Sequence, residues 1–223
     1  MIIERSMHEG WLSNAYVVGD EPGGVAVFVD SGAPLGPLLE VVERERLTPT
    51  HLLRTHAHPD HVEHEDELCE RFGIPVVTGD LVTRGLVARA IALPGHSDDG
   101  VAFVVNDEVV FSGDVLFKDA VGGGPADVVR HSVMEGLMTL PAELRVLPGH
   151  TDETTIGREL NENPFVVYWR GAVPSLAEAV RVNGEDAELI VWSPDYDGNG
   201  KALVRLGDGR EAIVGGSRVA RGA

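Results

Sequence analysis

The sequence predicts an α/β protein that carries a small β-rich appendage at its C-terminal end. Three observations support this. Strand-like and helix-like segments alternate up to about residue 170. Short strands separated by turn residues follow. Within the first part, histidines and aspartates recur where apolar strands end.

Residues 13–19 and 25–30 read as strands joined through the turn residues EPGG. Residues 35–47 carry Leu35, Leu38, Leu39 and Val42 at helical spacing. A short strand at 51–55 leads into a histidine-rich segment. A helix over about 60–72, ending at Gly73, follows it. Strands are predicted at 76–78, 88–93, 101–105 and 108–112, the last two joined by Asn106-Asp107, a tight hairpin signal. Val129, Val133, Leu137 and Leu140 mark one face of a helix, and 144–147 is a strand running into Pro148-Gly149-His150. A short helical stretch near 175–181 precedes AELIVW, KALVRL and REAIV, which the turns SPDYDGNG and GDG separate. The division expected is a main domain over 1–168 and a small antiparallel β appendage over 169–223.

The chain has 223 residues, enough for one sizeable core or for one domain with an addition. Hydrophobic residues make up 43% and charged residues 24%, as in ordinary globular proteins, which argues against disorder. The formal net charge is −18, and the only lysines are Lys118 and Lys201. Such a field repels a phosphate backbone, so nucleic acid is not an expected partner. Cys69 is the single cysteine, which excludes an intrachain disulfide. Glu4, Arg5 and Glu9 stand where a signal peptide needs an apolar run, and no stretch approaches the roughly 18 apolar residues of a membrane span. A soluble, cytoplasmic protein is the expectation.

The segment Thr55-His56-Ala57-His58-Pro59-Asp60-His61 concentrates the chemistry. Pro59 biases His58 towards an extended backbone, and residues two apart on such a backbone share a side. His56 and His58 can therefore converge on one ion. Pro59 also suits a first helical turn, which leaves Asp60 and His61 at a helix start facing a neighbouring ion. Imidazole and carboxylate are ligands that zinc, iron and manganese accept. His96, Asp114 and His150 each follow an apolar strand and a glycine. Ligands gathered from several strand ends onto one rim make an open, substrate-accessible site.

The order HAHPDH, GH, SGD, PGH resembles the metallo-β-lactamase superfamily, with its αββα sandwich, and in particular its glyoxalase II-like branch. The stretch 148–165, with TTIG and NPF, is similar to that branch's tail. The resemblance covers roughly residues 1–166. It implies two divalent metal ions, zinc foremost with iron or manganese as alternatives. His56, His58 and His96 would bind the first, and Asp60, His61 and His150 the second, with Asp114 between them. Asp30, in FVDSG, would support the metal loop from behind. It further implies a metallohydrolase that uses a metal-bound bridging hydroxide to cleave a small-molecule thioester or ester. Asp60 and Asp114 would serve catalysis by orienting that water and the metals. A homodimer is compatible with this picture.

Some features depart from the family pattern. Many relatives carry a glycine pair where this chain has Val62-Glu63-His64-Glu65, and the usual Thr-Pro-Gly after the third histidine is Ser97-Asp98-Asp99. His64 is expected on an exposed helix face, Asp98 and Asp99 in a loop, and Cys69 in core packing. His8, His51 and His131 show no ligand spacing. Two other activities fit the same motifs. One is a mononuclear iron oxygenase of the persulfide dioxygenase type, using His56, His96 and Asp114. The other is a lactonase. Trp192, Tyr196 and the loop 195–200 could instead make the appendage a partner-binding surface.

Overall fold

The computed structural model describes residues 1–221. The chain divides into two compact units. The first comprises Met1–Ala92, Val101–Gly113 and Val146–Thr151; the second comprises Leu93–Gly100, Asp114–Arg145 and the chain from Asp152 onward.

The first unit is built on two sheets. One runs in the order β1 (Ile2–Met7), β2 (Asn14–Gly19), β3 (Val25–Val29), β4 (Thr48–Leu53) and β5 (Val76–Val77). β1 to β3 are antiparallel, whereas β3, β4 and β5 are parallel. Parallel neighbours need crossovers. Helix α1 (Gly36–Arg44) supplies the first; α2 (Pro59–Val62) and α3 (Glu65–Phe72) lie on the second. The other sheet contains β6 (Leu81–Val82), β7 (Val87–Ala92), β8 (Val101–Val105) and β9 (Val109–Gly113), with the strand Arg145–Pro148 beside β9.

Strand alternation sorts the core into two layers. Val17 and Phe28 point to the helices, where they join Leu38, Val41 and Leu68. Tyr16, Val18, Val27 and Val29 point the other way, onto Phe103, Val105, Phe111 and Leu147 of the second sheet. Both faces of β2 are buried, which is why NAYVVG reads as a continuous apolar run.

The second unit holds an antiparallel sheet of Glu178–Val182, Glu185–Ser193, Lys201–Leu206, Glu211–Gly215 and Val219–Arg221. A two-residue strand, Gly124–Pro125, pairs with its edge. Val180, Val182, Leu189, Ala202 and Val204 form its apolar face. The helices Ala126–His131, Ile156–Glu162 and Pro164–Trp169 belong to the same unit.

Three expectations need correction, and one strand was not foreseen. The helix expected over 60–72 is two helices, broken at Glu63-His64, where His64 takes φ −109°, ψ 20°. It ends as expected at Gly73, in the left-handed conformation. The apolar face through Val129, Val133 and Leu137 is half ordinary helix and half a wider π segment, Ser132–Leu137. A step of four residues suits the wider turn as well as the narrower one. Residues 178–182 are a strand rather than a helix. Asn183-Gly184, both at positive φ, turn it into Glu185–Ser193, and Val180 and Val182 supply a period of two. Finally β1 exists, although its polar residues hide it in the sequence.

Candidate metal centre

β4 ends at Leu53, and His58, at the end of the link that follows, has an extended backbone at φ −67° and ψ 145°. Pro59 opens α2 at its first position, with Asp60 in the first turn and His61 fully buried. The extended His58 and the helix start at Pro59 are as the sequence predicts. The imidazoles cluster: His56 Nε2 lies 3.1 Å from His58 Nδ1, and the ring centroids of His56 and His61 are 4.2 Å apart.

Asp30 stands behind the cluster. It is buried and sits at φ 54°, in the left-handed region that aspartate tolerates better than most residues. Its Oδ1 accepts from the Thr55 backbone N–H at 2.8 Å. Its Oδ2 accepts from the Thr55 hydroxyl at 2.7 Å and from His61 Nδ1 at 2.9 Å. These bonds assign protons. The Thr55 hydroxyl donates to Asp30, so at 3.0 Å from His56 Nδ1 it can only accept there. Both His56 and His61 then carry the proton on Nδ1 and present a lone pair at Nε2. A carboxylate that fixes imidazole tautomer and orientation in this way is typical support for a metal ligand.

Close backbone packing holds the same loop. Ser31 N–H donates to the His61 carbonyl at 2.8 Å. A Cβ at Gly32 would lie 1.6 Å from the Asp60 carbonyl oxygen, so only glycine fits there. His150 comes from the end of the strand Arg145–Pro148. Tyr16 Oη and Asn14 Nδ2 both donate to the Pro148 carbonyl, at 2.7 and 3.0 Å, and Ser13 bridges His150. In this unit Asp60 Oδ2 lies 3.6 Å from His61 Nε2 and 3.5 Å from His150 Nε2. The ligand atoms of Asp60, His61 and His150 all fall within 4.8 Å of one another. Two imidazole nitrogens and a carboxylate oxygen at these spacings fit a divalent cation.

The first unit thus gathers five of the predicted ligands: His56, His58, Asp60, His61 and His150. The second unit holds the other two side by side. His96 Nε2 lies 3.4 Å from Asp114 Oδ2, and Asp114 is buried.

Sequence reasoning missed Thr55, Tyr16 and Asn14. Thr55 had a signal, since a hydroxyl directly before His-x-His at a strand end can orient the first ring. Tyr16 and Asn14 had none, because they reach the 148–151 segment across more than 130 residues.

Among the weaker candidates, His64 has glutamates at 3.6 and 3.7 Å, Glu63 and Glu67, and stands apart from the ligand groups. Asp98 and Asp99 are exposed. Cys69 packs against the helix-side core, and burial followed by the nearby Glu65 and Asp66 pushes its thiol pKa up.

The family model of the metallo-beta-lactamase superfamily matches residues 8–86. A probable metallo-hydrolase of Bacillus subtilis, YqgX, is 30% identical, over 69% of this chain and 92% of its own length. Hydroxyacylglutathione hydrolase GloC of Haemophilus influenzae is 26% identical, over 74% of this chain and 98% of its own. The crystal structure of ETHE1 from Myxococcus xanthus superposes with a TM-score of 0.66 at 31% identity, covering 74% of this chain and 84% of that one. Sequence likeness, fold likeness and the histidine segment point the same way, and this chain belongs to the metallo-β-lactamase superfamily of metallohydrolases, on the side of its glyoxalase II-like branch.

Proposed function

We propose that the protein is a dinuclear hydrolase of small-molecule thioesters or esters. One observation carries the reading. Two sets of donors lie together in the first unit: His56 with His58, and Asp60 with His61 and His150. Together these five donors are one more than a tetrahedral zinc takes. His96 and Asp114, held side by side in the second unit, are the further ligands that the family resemblance implies. Divalent cations in these places supply Lewis acidity and a water of lowered pKa.

The chain's own residues do the rest. Asp30 keeps His61, and through Thr55 also His56, in the tautomer that places the lone pair on Nε2. Asp60 and Asp114 orient water at the centre. No serine or cysteine nucleophile is required; Cys69, with its raised pKa, is a poor candidate. The GloC likeness and the TTIG and NPF segments support an acyl-thiol substrate. The net charge of −18 supports a small molecule over a nucleic acid.

The deciding experiment is metal analysis of protein purified without added metal, together with hydrolysis of acyl-thiol and ester substrates. About two metals per chain and thioester turnover are expected. One tightly held iron with no hydrolysis would overturn the proposal. A second reading is an iron-dependent persulfide oxygenase using two histidines and one carboxylate, His56, His96 and Asp114. Oxygen uptake with a persulfide would decide for it.

A further inference from the structure

Behind His96 and Asp114 stand three glycines and a serine, all in the second unit. A Cβ at Gly122 would lie 2.1 Å from the Asp114 carbonyl oxygen and 3.0 Å from the His96 Cβ. Gly124, at φ +152°, would bring a Cβ to 2.2 Å from the Gly95 carbonyl oxygen. Gly95, at φ +134°, would meet Val129 Cγ2 at 2.9 Å and Val129 N at 3.0 Å. Ser132, buried at the start of the π segment, donates its hydroxyl to the Pro94 carbonyl at 2.6 Å. The backbone beside His96, at Gly95, and at Asp114 itself is therefore packed closely against Val129, Gly122 and Gly124. Such π segments occur often at functional sites.

Gly124 also belongs to the C-terminal sheet. Gly124 pairs with Ile213 and Pro125 with Ala212. Glu211–Gly215 is itself paired along its length with Lys201–Leu206. Ser193, from the next strand, donates its hydroxyl to the Asp119 carbonyl, in the hairpin between Asp114 and Gly122. The geometry points to a positioning role for the C-terminal sheet: acting through Gly124 and through the hairpin that Ser193 holds at Asp119, it sets where His96 and Asp114 stand, with Gly122 and Ser132 as the close contacts that pass the position on. The inference rests on these two residues being ligands, as proposed above. Metal coordination tolerates only about 0.2 Å of displacement, and loss of supporting contacts typically weakens metal affinity about 10–100-fold.

The test compares Gly122→Ala, Gly124→Ala and Ser132→Ala with two references, in the full chain. Gly209→Ala is the first: this glycine, at φ +85°, lies in the far turn of the same sheet, and no atom stands within 4 Å of its would-be Cβ. His96→Ala is the second. Zinc affinity is read by chelator competition, ligand geometry by the visible spectrum of the cobalt(II) form, and folding by thermal unfolding. The expected result is an affinity loss of about 10–100-fold and an altered cobalt spectrum for the first two variants. Ser132→Ala, which removes one atom and keeps the fold, should shift both readouts in the same direction by less. Gly209→Ala should unfold sooner yet keep wild-type affinity and spectrum. If the glycine and serine variants keep both while His96→Ala loses metal, the inference is wrong and the ligand assignment stands. If Gly209→Ala loses metal equally, general softening explains the effect and the inference is wrong. If His96→Ala also keeps its metals, the assignment of the ligands falls, and the inference with it.

Discussion

Replacing Asp30 by asparagine changes one atom's chemistry and should move two protons. The carboxylate accepts from three donors: Thr55 N–H, the Thr55 hydroxyl and His61 Nδ1. Asparagine offers one acceptor oxygen and one NH2 group in the same space. Placed with its oxygen towards Thr55 N–H, its NH2 confronts the hydroxyl and His61. Placed the other way, it confronts Thr55 N–H. The conflict is relieved when His61 moves its proton to Nε2 and the Thr55 hydroxyl turns to donate to His56 Nδ1. Both rings then lose the Nε2 lone pair. A donor left buried and unmatched costs about 1–3 kcal/mol, and loss of an outer partner typically lowers metal affinity about 10–100-fold. The fold should persist, because total stability is about 5–15 kcal/mol and shape is unchanged. Zinc affinity from chelator competition, read beside thermal unfolding of the metal-free protein, checks this. Wild-type zinc affinity in Asp30→Asn would refute the tautomer assignment.

Other outcomes follow from the same contacts. Asp30→Ala should be worse than Asp30→Asn in metal-free stability, since all three buried donors lose their acceptor; denaturant titration of both variants gives the order. Tyr16→Phe removes one hydrogen bond to Pro148, worth about 1 kcal/mol, and should lower the melting temperature by about 2–4 °C, as calorimetry can read. Gly32→Ala drives a Cβ into the Asp60 carbonyl, so it should abolish metal retention even where soluble protein is recovered; metal analysis after desalting shows it. Cys69 carries a raised pKa, so less thiolate forms at neutral pH than on a free cysteine. Its alkylation should be slow near pH 7 and rise only above the ordinary thiol pKa, and Cys69→Ala should retain full activity. Alkylation at the rate of a free thiol would contradict the half-buried placement beside Glu65 and Asp66.

Much of this was readable in the chain because the relevant signals are local. Asn106-Asp107, both at positive φ, gave the hairpin away, and Pro59 fixed the turn from extended chain into helix. The five ligands of the first unit lie at the ends of elements that periodicity had already located. What stayed hidden depends on contacts over long separations or on spacings with two readings. A four-residue apolar step does not separate an α from a π turn, which is how Ser132–Leu137 went unseen. Helical spacing near 175–181 was outweighed by the hairpin through Asn183-Gly184. Gly122 and Gly124 look like ordinary loop glycines until their neighbours, Asp114 and Gly95, are known.

β1 has a consequence beyond the metal centre. Among the described residues it is an outer strand of its sheet, paired with β2 on one side only. Its other side offers backbone N–H and C=O groups to any extended chain that approaches, the usual route to edge-to-edge aggregation. Glu4 and Arg5 stand in the middle of that strand, and Arg5 also donates to the Thr151 carbonyl. The polar residues that disguised the strand are thus the ones that keep a second strand from docking. A variant with valine at both positions would look more like a strand and should precipitate sooner.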